Sequence, residues 1–308
     1  MELRHLRYFL AVADHLSFTH AADQLHVTQP TLSHQVKDLE EEIGSTLFDR
    51  VGRRVYLTPS GRALREYAQQ ALNAINSATT AISELEGLTH GTLTLGVFES
   101  FSGSLLPPLL AEFSKLHPGV HITVHQLPTG QLEEQLDKGN LDLGIAYSPP
   151  ATDNVVAENL FEEPLVLVVG AGHPLAHKKR IHMSALDGEP LMLLTTAFPS
   201  RRLLETRFSS VGAKPRIVLE INSVQVTLAT VRSMTLATIL TERIARTVPG
   251  LHCIKLVPTI TRTVAIFWRR GGYRTAAARA MAGLIKNACP NPAGAHEKTT
   301  VNAQKLLS

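Results

Sequence analysis

A stretch of polar side chains between positions 29 and 37 has chemistry that suits contacts with a DNA duplex. Glutamine can pair bidentately with adenine, serine and threonine hydroxyls reach base edges or phosphates, and lysine meets phosphate or guanine. If a helix exposes these side chains, they predict major-groove recognition. The alternative is that they form the solvated face of a structural helix. The set comprises Gln29, Thr31, Ser33, His34 and Lys37.

Three predicted helices would position this set. Apolar residues at helical spacing predict a first helix over residues 3–15. Ser17 is typical of a helix cap and predicts a short second helix that ends near residue 26. Thr28, followed by a proline in the first turn, predicts a third helix that continues to residue 43. Two helices joined by so short a turn indicate a helix-turn-helix. Further candidate DNA contacts at the helix starts are Ser17, Thr19, Thr28 and Pro30.

Two β-prone runs follow the helix-turn-helix, over residues 47–50 and 54–58. The intervening Val-Gly-Arg predicts a hairpin, which makes the domain a winged helix-turn-helix. Such a wing can lie along the phosphate backbone or enter the minor groove. Arginines on a hairpin tip can also be merely solvated, so that alternative stays open. The candidate contacts are Arg50, Arg53 and Arg54.

A long helix is predicted to begin with Thr58 as its cap and Pro59 in its first turn. One apolar stripe runs along it, and an isolated helix cannot bury such a stripe, so we expect pairing with a second copy of the chain. The alternative is that the helix packs on its own C-terminal domain. The predicted dimer contacts are Leu64, Ala68, Leu72, Ile75, Ile82 and Leu85.

The first ninety residues resemble the LysR-type regulators throughout, and the rest of the chain is similar to that family in order and length. Within the family the chain resembles the subgroup of cyanate-operon regulators. The resemblance implies a regulator of transcription, often an activator, that binds promoter half-sites as a dimer of dimers and works with RNA polymerase. The motifs that carry it include Ser17-Phe18-Thr19, Ala21-Ala22, Val27-Thr28-Gln29-Pro30-Thr31-Leu32-Ser33, Leu47-Phe48-Asp49-Arg50 and Leu57-Thr58-Pro59-Ser60-Gly61.

Composition sets broad bounds on the rest of the chain. Its 308 residues, 44% hydrophobic and 19% charged, suit two or three globular domains. No secretion signal or 20-residue apolar stretch is visible, so we expect a cytoplasmic protein without a membrane span. Two cysteines, Cys253 and Cys289, exclude a disulfide framework. The net charge of +3 is too small to argue for DNA binding by itself.

After residue 91 strand-like and helix-like segments alternate, which predicts βαβ units and a mainly parallel sheet. Strands are expected over 92–97, 120–126 and 142–147, and buried strands over 165–169 and 191–194. Helices are expected over 103–116 and 130–138. The expected fold class is therefore α/β, preceded by an N-terminal winged helix-turn-helix that is dominated by α-helices.

The family resemblance implies that this portion is an effector-binding domain with the two-lobed α/β fold of periplasmic binding proteins. The expected organisation is a DNA-binding domain over 1–58, a linker helix over 59–90, an effector domain over 91–290 and a flexible tail over 291–308. Lobe I would comprise 92–161 and 266–290, and lobe II 162–265.

Ligands of such folds bind between the lobes, beyond the carboxyl ends of the strands. Several helix starts that converge there favour a small anion, although each hydroxyl at a helix start could be an ordinary cap. The resemblance places an effector carboxylate at Ser100 and Thr129. All candidate effector contacts are Ser100, Phe101, Thr129, Thr196, Phe198, Asn222 and Ser223.

No catalytic motif is present, and neither histidine cluster has convincing metal spacing, so we expect no enzyme activity, cofactor or metal. The leading interpretation is a tetrameric regulator that senses a small anion. One alternative is a constitutive DNA-binding regulator whose lobes serve only oligomerisation. Another is a small-molecule-binding or catalytic protein with an incidental helix-turn-helix. The histidine clusters are His117, His121 and His125, and His173, His177 and His182.

Overall fold

The computed structural model describes residues 1–52, 54–83 and 91–289. The described residues form two compact units. The first unit is mainly helical, with one antiparallel hairpin, and its first three helices begin and end close to the predicted positions. The predicted end of the long helix at residue 90 lies outside the described residues. Its elements are α1 (Leu3–His15), α2 (Phe18–Gln24), α3 (Gln29–Ile43), β1 (Phe48–Val51), β2 (Arg54–Leu57) and α4 (Pro59–Ser83).

Capping and aromatic packing define the first unit. The Thr28 hydroxyl accepts a hydrogen bond from the Thr31 N–H at 3.3 Å, and Gly44 ends α3 in the left-handed conformation with φ +73°. The Phe48 ring at the start of the hairpin packs on the rings of Phe9 and Phe18, with centroids 5.4 and 5.7 Å apart. These contacts join the wing to the helices, as a winged helix-turn-helix requires.

The apolar stripe of α4 has two parts. Ala68 is buried, and Leu64 and Leu72 pack against the core that α1, α2 and α3 form. This half of the stripe is therefore covered within one chain. Ile82 is 68% exposed and Ile75 half-buried, so the proposed dimer seam rests on these two. Leu85 lies outside the described residues.

The second unit alternates strands and helices. The predicted helix over 103–116 is wrong at its start, because the helix begins at Leu106. Pro107 and Pro108 are tolerated in the first turn of a helix, and they lie in that turn here. The elements are β3 (Gly91–Val97), α5 (Glu99–Ser102), α6 (Leu106–Leu116), β4 (Val120–Gln126), α7 (Thr129–Asp137), β5 (Leu143–Ser148), β6 (Val155–Gly170), β7 (Arg180–His182), β8 (Pro190–Leu194), α8 (Pro199–Ser210), β9 (Arg216–Ile221), α9 (Val224–Ser233), β10 (Thr238–Thr241), α10 (Glu242–Ala245), β11 (Leu251–Arg269) and α11 (Ala276–Ala288).

The main sheet is mixed, which corrects the expectation of a mainly parallel one. Its order is β10-β6-β11-β5-β3-β4, and β7 also pairs with β11. β6 and β11 are long strands that pair antiparallel, and they pair antiparallel with β10 and β5 as well. Among the strands of the described residues, the parallel pairs are β3 with β4 and β5, β7 with β11, and β8 with β9.

Two lobes share these long strands. Leu160 of β6 and Ile266 of β11 belong to one core, together with β3, β5, α6 and α11. Leu167 of β6 and Ile254 of β11 belong to a second core, with β8 and α8. We call the first part lobe I and the second lobe II, and the two-lobed α/β fold is as expected. None of the helices in the described residues is long and apolar enough to span a membrane.

Candidate functional site

The predicted DNA-contacting side chains lie on the exposed side of α3. Leu32, Val36 and Leu39 are buried and fix the opposite side of the helix in the core. Most of the polar set is exposed, and Ser33 is half-buried. The cap of α2 is Ser17, whose hydroxyl accepts from the His20 N–H at 3.3 Å. The exposed residues are Thr19, Thr28, Gln29, Pro30, Thr31, His34 and Lys37.

Several of these side chains already have partners on the protein. His34 lies 2.9 Å from Asp38 and Lys37 lies 3.2 Å from Glu41, each one turn further along α3. The Thr28 and Thr31 hydroxyls are 2.8 Å apart. Exposed pairs of this kind contribute little to stability, so a phosphate or base can replace them at small cost.

The wing and α3 are joined by Arg50. Its Nη2 donates to the Ser33 hydroxyl at 3.0 Å, and its guanidinium lies 4.4 Å from the centroid of the Phe18 ring. Ser33 and Arg50 therefore present one joint polar surface. Arg54 is exposed on β2. Arg53 lies outside the described residues.

A cavity of about 290 Å³ lies between lobes I and II. Two predicted contacts, Phe198 and Asn222, line it. Most of its wall is apolar, and the polar groups are two amides and one carboxylate. The other lining residues are Phe98, Glu99, Gln126, Leu127, Pro128, Ala197 and Pro199.

The remaining predicted effector contacts differ in their surroundings. Phe101 is fully buried and packs on the Tyr147 ring at 5.1 Å, so its prediction as an effector contact is wrong, because the side chain fills the core of lobe I. Thr196 is exposed, and it is not among the described residues that line the cavity. Thr129 begins α7 beside Pro128, and its hydroxyl is buried with no hydrogen-bond partner among the described residues.

Glu99 of lobe I binds lobe II directly. Its Oε1 accepts a hydrogen bond from the Val224 N–H at 2.9 Å and another from the Ser223 hydroxyl at 3.2 Å. Val224 is the first residue of α9, where N–H groups lack partners within the helix and carry partial positive charge. The protein thus places a carboxylate of its own at this helix start. Ser223, which is also a predicted effector contact, is one of the two partners of Glu99.

A polar cluster lies where the long strands connect the lobes. The Tyr147 hydroxyl donates to Glu163 at 2.9 Å, and Arg243 of α10 donates to the same carboxylate at 3.2 Å. The Arg262 guanidinium lies 3.3 Å from the centroid of the Tyr147 ring. Ser100 joins the cluster by a hydrogen bond to Tyr147.

Burial dominates the electrostatics of this cluster. Desolvation raises the pKa of Glu163, although hydrogen bonds from Tyr147 and the charge of Arg243 oppose the shift. Desolvation also lowers the pKa of Arg262. The cluster therefore connects α10 of lobe II to the two long strands that both lobes share.

The combination of this winged helix-turn-helix with a two-lobed domain has a direct counterpart among known proteins. Residues 3–62 match the family described as "Bacterial regulatory helix-turn-helix protein, lysR family", and residues 86–290 match "LysR substrate binding domain". The chain belongs to the LysR family. As a LysR-family protein it is a DNA-binding regulator of transcription with an effector-binding domain, and not an enzyme.

Named relatives agree with this LysR-family assignment. The chain is 37% identical to the Hca operon transcriptional activator HcaR of Escherichia coli (strain K12), over 74% of this chain and 77% of the relative. It is 35% identical to the HTH-type transcriptional regulator AlsR of Bacillus subtilis (strain 168), over 75% and 77%. The structure of a full-length OxyR variant from Pseudomonas aeruginosa has a TM-score of 0.71 and 26% identity, and covers 94% of both chains.

Sequence reasoning missed three residues of this LysR-family chain: Glu99, which lines the cavity, and Glu163 and Arg262 of the polar cluster. One feature of the sequence points to Glu99: it is an acidic residue beside Ser100, at the start of the helix that follows β3. Its partner lies 125 positions away, so no local pattern could identify it. Glu163 on β6 and Arg262 on β11 are paired in the strand register. This pairing can be identified only when the order of the strands in the sheet is known.

Proposed function

We propose that this LysR-family regulator reads paired promoter half-sites and is switched by a small carboxylic acid held between lobes I and II. Residues 1–58 would read DNA, 59–90 would join two copies and 91–290 would bind the effector. The observation that carries the proposal is the interlobe cavity, on which residues from both lobes converge and across which Glu99 contacts α9. A ligand that contacts both walls favours one lobe spacing over others.

The chemistry of the cavity supports an effector with an apolar body. Phe198, Leu127 and Pro199 offer the apolar wall, and about 290 Å³ suits a small molecule. The acid group would bind at the start of α7, where the Thr129 hydroxyl is buried without a partner among the described residues. At the start of α9 the Val224 N–H already donates to Glu99. The start of α7 would therefore bind the acid group, whereas the start of α9 binds a carboxylate of the protein.

The effector proposal can be tested by calorimetry on the full chain with small acids and their matched amides. Cyanate, an inorganic anion without a matched amide, is measured separately, because the sequence resembles that subgroup of the family. We expect at least one acid to bind and its neutral amide to bind much more weakly. Each active acid is then added to gel shifts on the promoter that flanks the protein's own gene. Binding of the amide with equal affinity would contradict an anionic effector.

We further propose that the second half of α4 forms the dimer seam, and that two dimers assemble on DNA. Ile82 is 68% exposed and lies seven positions after the half-buried Ile75, which is the heptad spacing of a seam between paired helices. Ile82→Asp should separate the dimers, because an unpaired charge cannot be buried cheaply. Ala71→Asp, at an exposed position of the same helix, is the control. Light scattering that gave the same mass for both variants would contradict this seam.

A further inference from the structure

Lobe II carries a second concave site, formed by the loop before β7, the end of α10 and the first half of β11. Its cavity volume is about 520 Å³. We call it the basic pocket, because five cationic side chains line it: Lys178, Lys179, Arg180, Arg246 and Lys255. No described residue lines both this pocket and the interlobe cavity.

Strand pairing concentrates the charge. β7 runs parallel to β11 with Arg180 opposite Lys255, and the Lys255 N–H donates to the Lys179 carbonyl at 3.1 Å. The loop and strand residues are therefore held beside one another by backbone hydrogen bonds. Like charges brought this close repel one another, which disfavours the folded state unless an anion is nearby.

The protein neutralises little of this charge. Glu242 is the one carboxylate among the described lining residues, and its Oε1 already accepts from Arg246 Nε at 3.0 Å. Within the part of the chain that the structure describes, Lys178, Lys179, Arg180 and Lys255 form no ion pair within 4.0 Å. An external anion would therefore meet four uncompensated cations.

We propose that the basic pocket binds a compact polyphosphate group, as a second ligand distinct from the effector in the cleft. Guanidinium groups match phosphate oxygens in a bidentate way, and lysines add point charges around them. The described lining contains no aromatic ring for stacking on a base, other than the imidazoles of His177 and His252, so recognition rests on the phosphate chain. The neighbouring Arg243 reaches Glu163 beneath the cleft, so α10 contacts both regions.

Calorimetry on the full chain tests the proposal, with inorganic tripolyphosphate and ATP as probes. We expect tripolyphosphate to bind the wild type, and Lys179→Gln/Lys255→Gln to bind it about tenfold more weakly, because each exposed charge pair contributes up to roughly fivefold. Lys115→Gln/Lys214→Gln removes the same charge from exposed positions outside the pocket and should bind like the wild type. Equal weakening in both double variants would overturn the proposal, because it would indicate diffuse attraction.

Cys253 gives a second measurement that needs no variant. It lines the pocket and is half-buried, whereas Cys289 is buried in the core of lobe I. Tripolyphosphate should slow iodoacetamide alkylation of Cys253, read by mass spectrometry, and leave Cys289 unchanged. Binding of ATP without tripolyphosphate would overturn recognition of the phosphate chain. Loss of promoter binding by the pocket variant without any polyphosphate would instead make the pocket a DNA contact.

Discussion

The proposed DNA-reading face takes most of its side chains from one stretch of nine residues and the hairpin that follows it, whereas the interlobe cleft joins Glu99 to Val224 across 125 positions. The face is held by local caps and by a core of the same unit. The cleft is held by contacts that exist only when both lobes have folded and approached each other. The proposed reading face therefore depends on contacts within one unit, whereas the proposed effector site depends on contacts between two lobes.

The largest expected effect tests whether the reading face depends on its own core. Leu32 is fully buried, so Leu32→Ala should cost about 2–5 kcal/mol of the free energy of unfolding of the first unit. Promoter binding in gel shifts should be lost, whereas effector binding by calorimetry should persist. Ile43→Ala, at an exposed position of α3, serves as the control. Loss of both activities together would show that the two regions are not separately stabilised.

A second prediction divides the face into base reading and phosphate binding. Gln29→Ala should weaken binding to the promoter by about 1–3 kcal/mol and leave binding to random DNA nearly unchanged. Arg54→Ala should weaken binding to all sequences and reduce the slope of log affinity against log salt by about 1. Gel shifts over a salt series measure both. If the two variants behaved alike, the division would be wrong.

The third prediction concerns the cleft. Glu99 repels a bound anion, so Glu99→Gln should raise the preference for an acidic effector over its amide about fivefold, equivalent to roughly 1 kcal/mol. A general effect of the substitution on lobe closure would change the affinities for the acid and for the amide equally, so it cancels in their ratio. Glu112→Gln changes an exposed carboxylate on α6 of the same lobe and should leave the ratio unchanged. A lower ratio in Glu99→Gln would indicate that Glu99 assists binding of the acid group instead of repelling it.

The same contrast explains which features the sequence could predict. The caps at Ser17 and Thr28 and the hairpin around Gly52 depend on neighbours within a few positions, and the structure has them where the sequence placed them. Phe101 illustrates the opposite case. Its place after β3 suggested the cleft, but the direction of its side chain depends on how Tyr147 packs. The sheet was expected to be mainly parallel because strand-like and helix-like segments alternate. That alternation carries no information about the direction of β6 and β11, which pair antiparallel.

The smallest expected effect is a pH dependence of stability that belongs to the second unit and not to the first. His173 of lobe II is buried, and its Nδ1 accepts from the Leu175 N–H at 3.1 Å. Burial lowers the pKa of His173, although the charge of Glu189 opposes the shift. The unfolded chain therefore binds more protons at this residue than the folded one, so the stabilising contribution present above about pH 6.5 is lost as the pH falls below that value.

The loss can amount to at most about 1.4 kcal/mol per pH unit from one group. His173→Asn keeps a hydrogen-bond acceptor for the Leu175 N–H and cannot be protonated, so thermal unfolding of the second unit should become less sensitive to acid. His125→Asn, at an exposed position on β4 of the same unit, is the control and should retain the wild-type pH dependence. An unchanged slope in His173→Asn would place the acid sensitivity elsewhere. A similar change in the first unit's transition would mean that the reading face and the lobes do not unfold independently.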